Sequence, residues 1–193
     1  MIEVDQAADE LIQKFSAAIG ELILWANSVD HQLNQAIMLL LVLPEHAFIE
    51  PIVAQLDTRK KSELLKKRAR FIAEKNEWRI SIIRWTKRVE KVQANRNVVA
   101  HHQLRFVKNK PVLFSSQLEK LLDSITPEMK PAPERGLPEM LRWIEHAKQT
   151  FEEGQNVVAN LAAFARIARR HQATKANLQK ELVEAGYPVD DEP

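Results

Sequence analysis

Cysteine is absent from this chain of 193 residues. Its absence excludes disulfide bonds, thiol catalysis and thiolate metal sites, and it fits a reducing compartment. Glycine is scarce, at four residues, and tyrosine occurs once. Because alanine, leucine, glutamate and lysine are abundant instead, the composition favours helix over sheet. The longest apolar run, residues 36–43, has eight residues, far fewer than the roughly 20 that a membrane-spanning helix needs.

Several common functional motifs are also missing. The sequence has no phosphate-binding loop, no glycine-rich dinucleotide fingerprint, no serine-hydrolase elbow and no HExxH zinc motif. We therefore expect neither a cofactor nor a metal ion. The chain starts with an acidic segment, residues 1–5, which has no basic signal-peptide region. A cytoplasmic protein without membrane association is the expectation.

The net charge of +2 conceals a strong asymmetry along the chain. Residues 57–110 contain 17 lysines and arginines against 5 acidic residues, a balance of +12. The remaining 139 residues contain 11 against 21, a balance of −10. Such a segment predicts a localised positive surface that binds a polyanion such as RNA. The alternative is a solvated helix face that pairs with acidic helices of the same fold. The candidate RNA-binding residues are Arg59, Lys60, Lys66, Lys67, Arg70, Arg84, Lys87, Arg88 and Lys91.

Apolar residues recur at helical spacing through most of the chain, which predicts an all-α fold with two long helices. The predicted elements are a helix over 5–43, a connector around Pro51, a helix over 58–75, a helix from 77 into residues 96–102, a small β-hairpin over 103–114, a short helix over 116–125 and a long helix over 137–171. We expect one domain over 1–171, with basic helices at 57–102, and a partly disordered tail over 172–193.

Three details of these predictions can be tested in a structure. Asp57 is placed to cap the helix that follows it, and Leu64 and Leu65 are expected to face inward with Phe71 and Ile72. The last helix combines a long apolar stripe with small residues, and it exceeds the length that a compact bundle of this size needs. Its length therefore favours an oligomer.

The run from Arg96 to His102 carries the strongest chemical signal of the sequence. Arginine is permanently charged and presents a planar fork of donors to a phosphate. Histidine can accept or donate a proton near neutral pH. Asn97 can orient either partner, so Arg96, Asn97 and His101 together have the groups that cleave RNA without a metal ion. His102 is adjacent to His101, and the spacing does not decide which histidine would act.

The position of Arg96 strengthens this interpretation. Upstream, apolar residues are spaced by 4, 3, 4 and 3 residues, at Trp78, Ile82, Trp85, Val89 and Val92. Arg96 is the next member of this stripe, where an apolar residue is expected. Burial of an unpaired charge is costly, so this arginine needs a partner, an interface or a ligand. The alternative is structural, since an arginine and a histidine at this spacing also arise by chance and can pair or cap a helix end.

A basic amphipathic helix that ends in Arg-Asn-x-x-Ala-His, in a helical chain with a long first helix, resembles the HEPN superfamily (higher eukaryotes and prokaryotes nucleotide-binding). The resemblance covers residues 5–171 in architecture, and its specific part is residues 96–101. Many members of this superfamily are metal-independent endoribonucleases of defence and toxin–antitoxin systems. They dimerise so that two such motifs line one cleft. The histidine is often followed by a small residue, and His102 departs from that pattern.

The resemblance implies a two-fold homodimer that cleaves single-stranded RNA through attack of the ribose 2′-hydroxyl on its own phosphate. In that scheme Arg96 would bind and polarise the phosphate, His101 would be the acid or base, and Asn97 would orient them. Other members of the superfamily have lost activity. The alternative function is therefore a non-catalytic helical dimer that binds RNA, a nucleotide or an antitoxin-like protein partner through the same cleft.

Overall fold

The computed structural model describes residues 3–43, 49–72, 77–107, 110–115 and 135–184. These residues form five helices and one antiparallel hairpin, which confirms a predominantly helical fold. The helices are α1 (Glu3–Leu40), α2 (Ile49–Gln55), α3 (Thr58–Ile72), α4 (Glu77–His101) and α5 (Leu137–Glu184), and the strands are β1 (His102–Val107) and β2 (Lys110–Ser115). In the described part of the chain, no helix has the length and apolarity needed to cross a membrane.

Helix α1 is the centre of the bundle and packs against α3, α4 and α5. Lys148 of α5 pairs with Glu21 at 2.8 Å, and further along Arg169 donates to the carbonyl oxygen of Leu43 at 3.1 Å. Contacts therefore advance in the same order on both helices, so α1 and α5 run parallel. Helix α4 runs in the opposite direction to α5, since its start, at Trp78, contacts Phe164 and its later Arg88 contacts Glu153.

Two local features explain the connection from α1 to α3. After Leu40 the chain turns through Val42, whose φ of 54° lies in the left-handed region. The N–H groups of Val42 and Leu43 donate back to the carbonyl oxygens of Leu39 and Met38, which caps the helix. A short helix, α2, then replaces the predicted connector. Pro51 is tolerated there because the first turn of a helix needs no internal N–H donors.

The predicted cap of α3 is confirmed, whereas the prediction of its inward-facing residues is wrong in part. The backbone N–H of Lys60 donates to Asp57 Oδ1 at 2.8 Å, and this bond holds the pKa of Asp57 below its usual value. Leu65 is buried as predicted, but Leu64 is 36% exposed. The buried stripe of α3 is Lys61, Ser62, Leu65 and Ala69. The side chains of Phe71 and Ile72 lie outside the described ones.

Helix α4 follows the predicted apolar stripe and ends at His101. Ile82, Trp85, Val89 and Val92 are buried, and the indole of Trp85 donates to the carbonyl oxygen of Thr150 at 2.9 Å. The hairpin follows as predicted, with one more residue at each end, and its register pairs His102 with Ser115 and Val107 with Lys110. The predicted short helix over 116–125 lies outside the described residues.

Helix α5 buries most of its predicted stripe within the same chain. Met140, Ile144, Ala147, Leu161 and Ala165 are all at most 3% exposed. The helix continues past residue 171, its predicted end, to Glu184. The described side chains over 169–174 are exposed. The predicted stripe therefore packs largely against this chain's own helices as far as Ala165, whereas the described side chains over 169–174 contribute no buried face.

Candidate functional site

Arg96 lies on the apolar stripe of α4, as predicted, between the buried residues Val92 and Val99, but its own side chain is not fully buried. The arginine is half-buried and borders a cleft of about 720 Å³ between α1, α3 and α4. Its guanidinium donates to Asn97 Oδ1 at 3.4 Å, a long and therefore weak hydrogen bond. The helix thus presents a cation to an open cleft rather than burying it in the core.

Charged side chains dominate the lining of this cleft, which we call the Arg96 cleft. Four cations and four carboxylates line it, namely Arg59, Lys61, Lys66, Arg96, Asp30, Asp57, Glu63 and Glu90. Three of the four cations have ion pairs, with oxygen atoms at 3.3 Å for Arg59, 3.2 Å for Lys61 and 2.6 Å for Lys66. Among the described residues, Arg96 is the cation of the cleft that has no carboxylate partner.

The buried pair at the floor of the cleft was only partly foreseeable from the sequence. Lys61 is almost fully buried, and its ammonium donates to both oxygens of Asp30 at 3.2 Å. In the sequence, Asp30 lies on a polar stripe of α1 with Asn27 and Asn34, and an aspartate there can neutralise a buried cation of another helix. Its partner is a lysine that directly follows Arg59 and Lys60 in a strongly basic segment, so no local signal distinguished it from solvated cations.

The two histidines of the motif occupy different elements. His101 is the last residue of α4 and is exposed, whereas His102 begins β1 and is half-buried. Neither belongs to the lining of the Arg96 cleft. At about 100° per residue, His101 lies about 40° from Asn97 but about 140° from Arg96 around the helix. One chain therefore brings Arg96 and Asn97 together in the cleft and places His101 one turn beyond Asn97 on the same face.

The nine predicted RNA-binding cations do not form one continuous stripe. Lys66 pairs with Glu90 in the Arg96 cleft, whereas Arg88 faces α5 and pairs with Glu153 at 2.6 Å. Arg59 and Lys60 have exposed ion pairs within their own helix. Five have no ion pair with another described residue, namely Lys67, Arg70, Arg84, Lys87 and Lys91. Four of the nine cations are thus paired with carboxylates, two of them locally and two across helices, and the other five have no ion pair with a described residue.

Trp85 is 1% exposed and belongs to the core, and Trp78 is packed against the core, as predicted for both. In the described ranges, no group of three or more histidine, aspartate or glutamate side chains could hold a metal ion.

In comparisons with known proteins, no family model, no curated protein and no solved structure matches this chain.

Proposed function

We propose that this chain is a HEPN-like, metal-independent endoribonuclease that acts on single-stranded RNA as a homodimer. The observation that carries the proposal is the state of Arg96 in its cleft. Among the described residues, every other cation of the cleft has a carboxylate partner, whereas Arg96 has a long hydrogen bond to Asn97 and no carboxylate partner. A half-buried guanidinium without a counter-ion is suited to an anionic ligand, and its planar fork matches two oxygens of a phosphate.

The proposed reaction is an internal transfer at phosphorus. The 2′-hydroxyl oxygen attacks the adjacent phosphate, and the bond from phosphorus to the 5′-oxygen breaks. The products are a 2′,3′-cyclic phosphate and a 5′-hydroxyl end. Arg96 stabilises the charge that develops on the phosphate oxygens, and a histidine accepts the proton of the 2′-hydroxyl or donates one to the leaving oxygen.

A homodimer would explain why Arg96 and His101 point in different directions within one chain. Arg96 and His101 diverge by about 140° around α4, so one helix does not direct both at the same phosphate. A two-fold axis near the end of α4 would place His101 of one copy opposite Arg96 of the other. Light scattering should then give about twice the chain mass of 22.2 kDa.

The alternative function is a non-catalytic helical dimer that binds RNA, a nucleotide or an antitoxin-like protein through the same cleft. One observation favours it, because three cations of the cleft are already neutralised by carboxylates and His101 is not among the lining residues. A cleft of this composition can form polar contacts with a partner without performing chemistry.

RNA cleavage assays separate the two functions. Arg96→Ala and His101→Ala should each reduce the rate by roughly 10²–10⁴-fold or more, as expected for loss of a positioned acid, base or phosphate ligand. Cleavage should persist in EDTA. His102→Ala should have a smaller effect if His101 acts, and a larger one if the roles are reversed.

Matched controls keep this test interpretable. Lys14→Ala removes an exposed cation from α1, and His171→Ala removes an exposed histidine from α5. Both should retain activity. Urea unfolding of each variant checks the fold, because Arg96 is half-buried. If the purified protein leaves RNA intact across pH 6–9, the endoribonuclease proposal is wrong and the binding module replaces it.

A further inference from the structure

A second, smaller cleft lies on the opposite side of α4, against α5. Its volume is about 290 Å³, and it is lined by Lys91, Asn95, Glu139, Arg142, Trp143 and His146. The α5 residues at 139, 142, 143 and 146 repeat at helical spacing and so share one face of that helix. The α4 residues at 91 and 95 are also one turn apart. Two helix faces therefore form the walls of this cleft, which we call the His146 cleft.

Positive charge predominates around the His146 cleft. Lys91 and Arg142 are exposed, and neither has an ion pair with another described residue. The guanidinium of Arg135 lies over the ring of Trp143, with its central carbon 5.4 Å from the ring centroid. Glu139 is the one carboxylate among the described lining residues, and it too has no ion pair with a described residue. Unlike the Arg96 cleft, this cleft is not neutralised by its own side chains.

Two buried polar atoms of the cleft lack a hydrogen-bond partner among the described residues. They are Asn95 Nδ2 and His146 Nδ1. Buried donors and acceptors without a partner are uncommon in proteins and call for an explanation. An amide nitrogen can only donate, so an acceptor oxygen would satisfy Asn95. His146 Nδ1 can donate to the same kind of ligand when it carries the ring proton.

The electrostatic surroundings of His146 also favour an anionic ligand. Burial lowers its pKa below the usual value of 6.5, and the positive charges of Arg88 and Lys91 lower it further. The field at the imidazole is therefore positive. An anion in the cleft would oppose that field and favour the protonated ring.

We propose that the His146 cleft binds a phosphate group, with Lys91 and Arg142 as charged ligands and Asn95 as a neutral donor. Its volume lies at the lower limit of ligand pockets, which are about 300–1,000 Å³, so it suits a phosphate with at most a small attached group. The phosphate can come from a free nucleotide or from an RNA strand. This proposal does not depend on cleavage in the Arg96 cleft, because the two clefts share no lining residue.

Nuclear magnetic resonance of the imidazole of His146 tests the proposal without an activity assay. Inorganic phosphate, adenosine monophosphate and a single-stranded oligonucleotide are titrated separately, at an ionic strength held constant with chloride. Each probe that binds should shift the His146 resonance in a saturable manner and raise its pKa. Tighter binding of the mononucleotide supports the site and assigns a free nucleotide, whereas tighter binding of the oligonucleotide supports it and assigns RNA.

Variants of three lining residues and of one distant arginine test whether phosphate binds in this cleft. Arg142→Ala and Lys91→Ala should each weaken phosphate binding by about 10–100-fold, the effect of losing a hydrogen bond to a charged group. Glu139→Gln should strengthen binding because it removes the one negative charge. Arg170→Ala, an exposed arginine further along α5, should have no effect. The proposal fails if none of the probes shifts the His146 resonance more than chloride does, or if Arg142→Ala and Arg170→Ala bind phosphate equally well.

Discussion

The ammonium nitrogen of Lys61 lies 3.2 Å from each carboxylate oxygen of Asp30 on the neighbouring helix. The lysine side chain is 2% exposed and the aspartate side chain 31% exposed. The carboxylate therefore keeps contact with water, whereas the ammonium has almost none. An uncompensated charge is most costly where water is excluded, so Lys61 depends on Asp30 more than the reverse.

This asymmetry predicts unequal effects from removing either partner. Asp30→Asn leaves the ammonium buried without a counter-ion and should lower the free energy of unfolding by about 3 kcal/mol. Lys61→Met removes the buried charge, leaves a partly hydrated carboxylate and should cost about 1 kcal/mol. Asp9→Asn, an exposed site on α1, is the control. Urea unfolding measures all three, and an equal or larger loss in Lys61→Met would contradict the asymmetry.

Two glycines provide a matched pair for the packing of α5. A Cβ at Gly154 would lie 2.8 Å from Trp85 Nε1 and closer still to Gln32 Oε1, whereas a Cβ at Gly20 would meet no atom within 4 Å. Gly154→Ala should therefore lower the free energy of unfolding by about 1–3 kcal/mol through overpacking. Gly20→Ala should raise the free energy of unfolding by about 0.5–1 kcal/mol, since alanine is the better helix former.

Thermal unfolding of the two alanine variants is sufficient to compare them. The same substitution in two helices should shift the midpoint in opposite directions. If Gly154→Ala unfolds at the same temperature as the parent, or above it, then α5 does not depend on close contact with α1 and α4 at this position.

The lowered pKa of His146 predicts a pH dependence of stability. Burial, Arg88 and Lys91 all disfavour the protonated ring in the folded chain. Between the folded pKa and the usual value of 6.5, the unfolded chain binds the proton and the folded chain does not. The free energy of unfolding should therefore fall as the pH drops below 6.5 and level off below the folded pKa.

Comparison with a His146→Gln variant isolates this contribution, because the other histidines remain in both proteins. The parent should lose more stability than the variant between pH 7 and pH 5.5. The lowered pKa of Asp57 acts below its usual value of 3.8 and so does not overlap with this window. Parallel pH profiles for parent and variant would show that His146 titrates alike in the folded and unfolded chains.

Four of the five described helices and the hairpin could be predicted because their signals are local, whereas α2 was expected to be a connector. Apolar periodicity placed α4 and its buried tryptophan Trp85, and the capping residue Asp57 placed the start of α3. The buried stripe of α3 was wrong at Leu64 because periodicity alone does not reveal which face meets a neighbouring helix. Lys61 occupies that face because Asp30, 31 positions earlier in the chain, supplies a counter-ion.

The candidate site was predictable in part for the same reason. The interruption of an apolar stripe by Arg96 is a local signal, and the structure places this arginine at a cleft. The neutralisation of Lys66 and Arg88 is not local, since their partners Glu90 and Glu153 lie on other helices. The His146 cleft joins residues about 50 positions apart, and no motif in the sequence indicates it.

The cations of α3 differ in a way that bears on RNA binding. Lys67 and Arg70 are exposed and have no ion pair with a described residue. Arg59 and Lys60 are more than 70% exposed but pair with carboxylates of their own helix at 3.3 and 3.4 Å. Such exposed pairs are weak, yet each carboxylate also repels a phosphate that approaches its cation.

The proposed RNA binding therefore predicts a difference between two double variants of equal charge change. Lys67→Gln with Arg70→Gln should weaken binding of single-stranded RNA and reduce the slope of log affinity against log salt by about 1.4, which corresponds to two lost phosphate contacts. Arg59→Gln with Lys60→Gln should change the slope by less. Fluorescence anisotropy at several salt concentrations measures both. If the two double variants change the slope equally, only net charge matters, and if neither changes it, α3 is a solvated face that does not contact RNA.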